Sequence, residues 1–255
     1  MGFHKLTAVI ITLNEERNIG RCIDHLLPVC DEIIVVDSFS TDRTAEICNE
    51  KKVRFVQTKW KGYAATKNFA NALATHEYIF SVDADEAPDE TLQHQILAIK
   101  KEGFIGLYEV NRLTNYCGKW IRYSGWYPDW KIRIFPKSKT KWTGAYVHEE
   151  LTFSVKLEQK RLGGHLLHYS YYNFTEHRER ADKYSILTAN KLYAQDKKAS
   201  FAKPFFSAVG RFIAMYFIKK GFMDGFMGFK IAQISAASNF LKYKKLNELH
   251  RDKKN

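Results

Sequence analysis

Three things are scarce in this chain, and each scarcity excludes a class of chemistry. No G-x-x-x-x-G-K-[ST] or G-x-G-x-x-G occurs, so neither common glycine-rich phosphate cradle is present. The four cysteines, Cys22, Cys30, Cys48 and Cys117, show no C-x-x-C spacing. They are expected to be reduced, mostly buried thiols in a cytosolic protein rather than a zinc site or a disulfide framework. No uncharged run reaches the roughly 20 residues a bilayer requires. Even the apolar segment near the C-terminus is broken by Arg211, Lys219, Lys220, Asp224 and Lys230. "MGFHKLTAVIITLNEE" runs straight into a strand-like stretch with no cleavage site after it, so no secretory leader is expected. No Ser-His-Asp pattern suggests a covalent nucleophile.

What is present begins with alternation. "KLTAVIITL" (5–13) and "EIIVVD" (32–37) are apolar runs of strand length. Between them Ile19, Cys22, Ile23, Leu26 and Leu27 fall at helical spacing, and Pro28 stops the helix. Ser40, Thr41 and Asp42 offer caps for a helix through "AEICNEKK". "VRFVQT", "YAATKNFANALAT" and "YIFSVD" continue as strand, helix, strand. Such alternation at 20- to 25-residue spacing predicts an α/β fold with a mostly parallel sheet flanked by helices. Strands apolar throughout must be buried on both faces. The stretch from 107 to 151 is rich in Tyr, Trp, Arg and Gly and reads as short strands and loops around a wide groove. From 177 onward the pattern is helical.

Open parallel sheets bind ligands beyond the carboxyl ends of their strands. Here two strands end in Asp37 and Asp83, and "VIITLNE" brings Asn14 and Glu15 to the same edge. "YIFSVDADEA" then adds Asp85 and Glu86, three carboxylates within four residues. Most D-x-D pairs are solvated loop carboxylates. An EF-hand is excluded, because its loop would need an oxygen ligand at Ala87 and glycine at Pro88. The functional reading is a divalent cation, Mg²⁺ or Mn²⁺, held by one or two carboxylates together with a substrate diphosphate.

The set "ITLNEERNI", "EIIVVDSFSTDRT", "GYAATKNFANA" and "YIFSVDADE" resembles the nucleotide-binding half of family-2 inverting glycosyltransferases. "SGWYPDWKIRIFPK", "WTGAYVHEEL", "LLHYSY" and "KKGFMDGFMGFKIA" resemble the branch that includes lipopolysaccharide inner-core β-1,4-glucosyltransferases. The resemblance implies a GT-A glycosyltransferase domain over 1–195. Its nucleotide-binding half would cover about 1–100 and its acceptor half about 101–195, with a basic amphipathic helical extension over 196–255. It implies that Asp37 reads the pyrimidine base, that Thr12, Leu13 and Glu15 surround the nucleoside, and that Lys67 faces the diphosphate. Lys67 stands where the family commonly has Arg. Asp83 and Asp85 match the D-x-D, with Asp85 given the metal and His168 a third metal or phosphate contact. Glu149 matches the catalytic base; the family often has Glu-Asp there, whereas this chain has Glu149-Glu150. His148 and His165 read as structural. The implied reaction moves a hexose, glucose for this branch, from a UDP-sugar to a lipid-linked or cell-envelope glycan such as lipopolysaccharide core.

Charge bears on the acceptor. Of a formal net +12, residues 197–255 carry +10, from thirteen Lys or Arg against three Asp or Glu. A basic amphipathic tail suits an anionic membrane surface, and predicts a cytoplasmic protein peripheral on the inner face of the membrane. Three rivals remain in view. A sugar-nucleotide nucleotidyltransferase would need a glycine-rich loop where "TLNEERN" has none. A nucleic-acid binder would place its basic charge at the ligand edge, which here is acidic, so no nucleic-acid partner is expected. The third is a transferase of the same fold with a soluble acceptor.

Overall fold

A computed structural model of the chain describes residues 4–144 and 150–252. The described residues divide into two compact units. One runs to Arg112 and resumes over Asp129–Tyr169; the other comprises Leu113–Pro128 and everything from Ser170 onward.

The first unit is built on the expected alternation: β1 (Leu6–Thr12), α1 (Ile19–Leu26), β2 (Glu32–Asp37), α2 (Thr44–Glu50), β3 (Arg54–Gln57), α3 (Tyr63–Leu73) and β4 (Tyr78–Asp83). β1 pairs in parallel with both β2 and β4, and β2 with β3. The apolar runs follow from burial on both faces. Leu6, Ala8 and Ile10 pack with Ile23 and Leu26 of α1, whereas Val9, Ile34 and Ile79 pack with Ala70 of α3. None of the three candidate caps is the N-cap of α2, which is Arg43 without a side-chain cap bond, but Asp42 just before it holds the first helical residue. Its Oδ1 accepts from the Thr44 N–H at 3.0 Å and the Thr44 hydroxyl at 2.6 Å.

The chain continues through β5 (Glu86–Pro88), α4 (Glu90–Glu102), β6 (Leu107–Tyr116), β7 (Lys119–Trp120), β8 (Asp129–Pro136), β9 (Thr140–Thr143), β10 (Glu150–Phe153) and β11 (Gln159–Tyr171). The main sheet has the order β3-β2-β1-β4-β8-β6-β11-β5, with β7 paired to β6. β8 joins antiparallel to β4, so the parallel half gives way to an antiparallel half. β10 and β9 form a separate two-stranded ribbon. The short strands expected over 107–151 are found in β7, β9 and β10, of 2, 4 and 4 residues, whereas β6 has 10 and β8 has 8, with β11 at 13 beyond them. Tyr, Trp and Arg scattered along them mask the strand pattern, because large amphipathic side chains fit either environment.

The second unit contains α5 (Phe174–Ala194), α6 (Lys203–Ile213) and α7 (Gly225–Asp252). Helix begins at 174 rather than 177. The Asn173 side chain accepts from the Glu176 N–H at 2.9 Å, and Glu176 reaches back to the Tyr172 N–H at 2.9 Å. That reciprocal cap fixes the start. The "KKGFMDGFMGFKIA" segment also acquires a physical meaning. Asp224 is buried and accepts from the backbone N–H groups of Arg122 and Tyr123, at 3.1 and 3.0 Å. A Cβ on Gly228 would lie 1.8 Å from the Gly221 carbonyl oxygen, so this turn packs too closely for any side chain.

The core of this unit gathers Tyr116, Ile121, Met215, Ile231 and Ala232. His177 is buried beside it, with Nδ1 2.8 Å from the Tyr116 hydroxyl. Burial, with Arg180 adding to it, lowers its pKa from 6.5 to about 4. A folded pKa below the unfolded value means the unfolded chain binds the extra proton between those limits. Stability is therefore full above pH 6.5 and falls towards pH 4, by up to ~3 kcal/mol. Urea midpoints at both ends of that range, for wild type and His177→Phe, should show a steeper acid loss in wild type. Parallel pH profiles would remove His177 as the cause.

Candidate functional site

The carboxyl ends of β1, β2 and β4 lie side by side, and the loops that follow are tied together. Asn14 donates its N–H to Ser40 Oγ at 2.8 Å and accepts from the Thr41 N–H at 2.8 Å. The Glu15 N–H donates to Thr44 Oγ1 at 2.9 Å, and Glu15 accepts from Asn18 Nδ2 at 2.9 Å. Asn14 and Phe39 both hold positive φ, 55° and 64°, a conformation uncommon for non-glycine residues and concentrated at functional sites. Thr12 and Leu13, assigned to the nucleoside, differ sharply. Leu13 is half exposed. Thr12 is buried, and its hydroxyl has no hydrogen-bond partner, one of few such atoms among the described residues. A buried polar group left unpaired is costly and calls for explanation.

Asp37 is fully buried at the end of β2. Its carboxylate accepts from the Ser40 hydroxyl, from the Ser40 N–H at 2.9 Å and from Gln57 Nε2 at 3.0 Å. Three of roughly four acceptor positions are thus taken within the chain. Asp37 organises the Ser38–Ser40 turn and retains at most one position for a ligand donor. Beneath it the Cys48 thiol is pushed up to about 12 by burial, with Asp37 adding to the effect. All four cysteines are free thiols, two of them buried.

The crowded carboxylates are resolved by cations from other elements. Asp83 accepts from Arg133 at 2.8 Å and lies 3.4 Å from Lys67 Nζ. Burial would raise its pKa, but Arg133 and Lys67 together hold it well below the ordinary carboxylate range. Glu86 is fully buried, 2.5 Å from Arg133 and 3.5 Å from Arg112, and accepts from the Asp83 N–H at 3.0 Å. Arg112 is itself held by Asp129 at 2.9 Å. Lys67, on α3, is buried with its ammonium 4.7 Å from the Trp142 ring centroid. Asn68 fixes that tryptophan through a reciprocal pair of bonds to its backbone, at 2.8 and 2.9 Å.

Asp85 stands apart from this network. Its Oδ2 is 3.1 Å from His168 Nε2, and its carbonyl accepts from the Tyr169 N–H at 2.8 Å. The pairing comes from strand register, because β5 lies against β11 with Glu86 opposite His168. Two adjacent ligands on an octahedral Mg²⁺ at 2.0–2.1 Å stand about 3 Å apart. The contact is a hydrogen bond between the two side chains, and it keeps both atoms at the separation that adjacent ligands of one divalent cation also take. Among the described residues no third His, Cys, Asp or Glu completes such a group. The remaining ligands would have to be substrate oxygens or water, as is usual for Mg²⁺.

His165 contacts Asp89 at 3.1 Å, and Asp89 caps α4, which gives this histidine the expected structural place. Glu149 and His148 lie outside the described residues. Glu150 is exposed at the start of β10, opposite Thr143. Arg133, Arg112 and Gln57 carried no expectation from the sequence, and Ser40 was expected only as a helix cap. For Arg133 a signal existed, since it interrupts the apolar "KIRIFP", and a charge in a buried strand needs a partner.

Residues 7–174 match the family model described as "Glycosyl transferase family 2". The chain belongs to this family. Relatives extend over nearly its whole length. A lipopolysaccharide core biosynthesis glycosyltransferase of Rhizobium meliloti is 31% identical, covering 96% of this chain and 93% of the relative. An uncharacterized glycosyltransferase of Rickettsia typhi is 29% identical, covering 96% and 87%. Among solved structures, glucosyl-3-phosphoglycerate synthase from Mycobacterium tuberculosis overlaps 45% of each chain at 24% identity, with a TM-score of 0.37.

Proposed function

We propose that this family-2 glycosyltransferase moves a hexose, glucose for the branch it resembles, from a UDP-sugar to a lipid-linked glycan of the lipopolysaccharide core, with inversion at the anomeric carbon. The observation that carries the reading is the division of the acidic cluster. Asp83 and Glu86 are neutralised internally by Arg133, Arg112 and Lys67, while Asp85 is hydrogen-bonded to His168 at a separation that two ligands of one cation also take. The relative in lipopolysaccharide core biosynthesis supports the acceptor class.

In this reading the unpartnered Thr12 hydroxyl and exposed Leu13 meet the nucleoside, and Asp37 spends its last acceptor position on the imide N–H of uracil. Lys67 and Arg133 keep Asp83 ionised beside the diphosphate. Asp85 and His168 hold Mg²⁺ or Mn²⁺, which when bound offsets the negative charge that develops on the departing diphosphate. Glu149 takes the proton of the acceptor hydroxyl. That oxygen bonds the anomeric carbon from one face as the bond to the diphosphate oxygen breaks on the other. A single displacement needs no covalent intermediate. Residues 196–255 act as a basic extension that keeps the enzyme at the inner, anionic face of the membrane, where the acceptor resides.

Asp85→Ala is expected to lose transfer by about 10²–10³-fold, the usual cost of removing one preorganised electrostatic contact at a developing charge. It should also lose the Mn²⁺-dependent part of the thermal stabilisation given by UDP-glucose, since only a ligand bound to the native state raises the melting temperature. The same melting shift with and without Mn²⁺ in wild type, or undiminished transfer in excess EDTA, would overturn the metal-dependent reading.

A further inference from the structure

The second compact unit exposes apolar side chains in a concentration that globular proteins avoid. Within 201–229 the large residues standing in solvent include Phe205, Phe206, Phe217, Ile218 and Phe226, with Phe205 62% and Ile218 70% exposed. Contiguous apolar surface of this kind marks an interaction site. The exposure is patterned. Phe205, Val209, Ile213 and Phe217 recur every four residues along α6 and the π-helical turn Ala214–Ile218 that prolongs it, and all four are exposed. Residues four apart on a helix share a face. An apolar cavity of about 940 Å³ opens in the same unit, lined by Phe205 and Phe240, by the cations Lys198, Lys244 and Arg251, and by Glu248, which lies 4.0 Å from Lys244.

The charge on this segment has one sign. Residues 201–230 contain Lys203, Arg211, Lys219, Lys220 and Lys230 against a single carboxylate, Asp224. Asp224 is buried and spends its oxygens on the N–H groups of Arg122 and Tyr123. What reaches solvent is therefore an apolar stripe with uncompensated positive charge. A second copy of this chain is a poor occupant, because it would set two such basic faces against each other. An anionic lipid surface satisfies both features, since acyl chains accept the aromatic side chains and phosphates accept the cations.

We propose that α6 and its π-helical continuation form an interfacial insertion surface for an anionic phospholipid bilayer. The stripe from Phe205 to Phe217 enters the acyl boundary, and the Phe205–Phe240 cavity takes the chain of one lipid whose phosphate meets Lys198 or Arg251. This deepens the membrane-surface half of the function proposed above, replacing adsorption by charge alone with insertion by a named face.

Salt separates the two modes. Charge adsorption fails as ions screen it, whereas buried apolar area does not. The full chain is floated with vesicles of phosphatidylcholine containing about one-third phosphatidylglycerol. The runs are made at about 0.15 M and about 0.5 M salt, beside the variant Phe205→Ser/Phe217→Ser. Both substituted residues are exposed, and neither belongs to the donor site. Wild type should float at low salt and largely remain afloat at high salt; the variant should lose at least about tenfold of the salt-resistant fraction. Release of wild type at high salt would overturn insertion. So would equal flotation of the variant, or a wild-type dimer in solution that the variant abolishes. UDP-glucose melting shifts on both proteins keep this result separate from the donor-site reading, because a bilayer failure leaves them intact and a donor-site failure leaves flotation intact.

Discussion

Arg133→Met is expected to destabilise the first unit by about 3–5 kcal/mol, the usual cost of leaving a buried charge without its partner. Arg133 and Glu86 are both almost wholly buried, 2.5 Å apart, and the same guanidinium holds Asp83 at 2.8 Å. Removing it leaves Glu86 with Arg112 at 3.5 Å and Asp83 with Lys67 at 3.4 Å, both weaker contacts. Linkage adds a second signature. Asp83 has a folded pKa below its unfolded value, so its contribution is complete above the ordinary aspartate pKa and is lost only as pH falls beneath that. The cost of Arg133→Met should therefore be largest at neutral pH and shrink as pH falls below the ordinary aspartate pKa, where wild type loses the same stabilisation. The double variant Arg133→Met/Glu86→Gln should recover part of the loss, since it removes the stranded carboxylate together with its cation. Urea denaturation of the three proteins at neutral and acid pH decides the matter. A loss under about 1 kcal/mol for Arg133→Met would show that the cluster tolerates an open charge.

The second large effect is at the proposed base. Glu149→Gln is expected to bind UDP-glucose as wild type does and to transfer about 10²–10⁴-fold more slowly, the usual contribution of a general base. The amide preserves size and shape but cannot accept a proton from the acceptor hydroxyl. Single-turnover transfer, beside melting shifts with UDP-glucose and Mn²⁺, separates the two properties. Glu150→Gln is the necessary companion, because two adjacent glutamates compete for the role. Glu150 lies exposed in β10 with its backbone paired to Thr143, which gives it a ribbon position. An inactive Glu150→Gln beside an active Glu149→Gln would move the base by one residue.

The three predictions at Arg133, Asp85 and Glu149 differ in how far the sequence alone could have supplied them. The D-x-D was visible as three carboxylates within four residues, and the need for cations among them was visible as physics. Which cations answer that need was not. Arg133 lies fifty positions from Asp83 and reaches it because β8 is antiparallel to β4. His168 lies eighty-three positions from Asp85 and meets it because β5 and β11 pair in one register. A shift by one residue would turn His168 to the opposite face of the sheet.

Composition and period by themselves determined the alternating first hundred residues, the burial of β1, β2 and β4 on both faces, and the placing of Asp37 and Asp83 at strand ends. These are local properties: an apolar run without alternation requires two covered faces, and the residue that ends it stands at the sheet edge. The concentration of positive charge after residue 196 is likewise a property of the chain alone. Tertiary structure decided what each charge faces. It gave three of Asp37's acceptor positions to Ser40 and Gln57, left the Thr12 hydroxyl unpartnered, and turned Asp224 inward so that the apolar stripe of α6 carries only cations to solvent. None of these can be read from spacing, because an ion pair or an empty hydrogen-bond position is set by which distant segments the packing brings within about 3 Å.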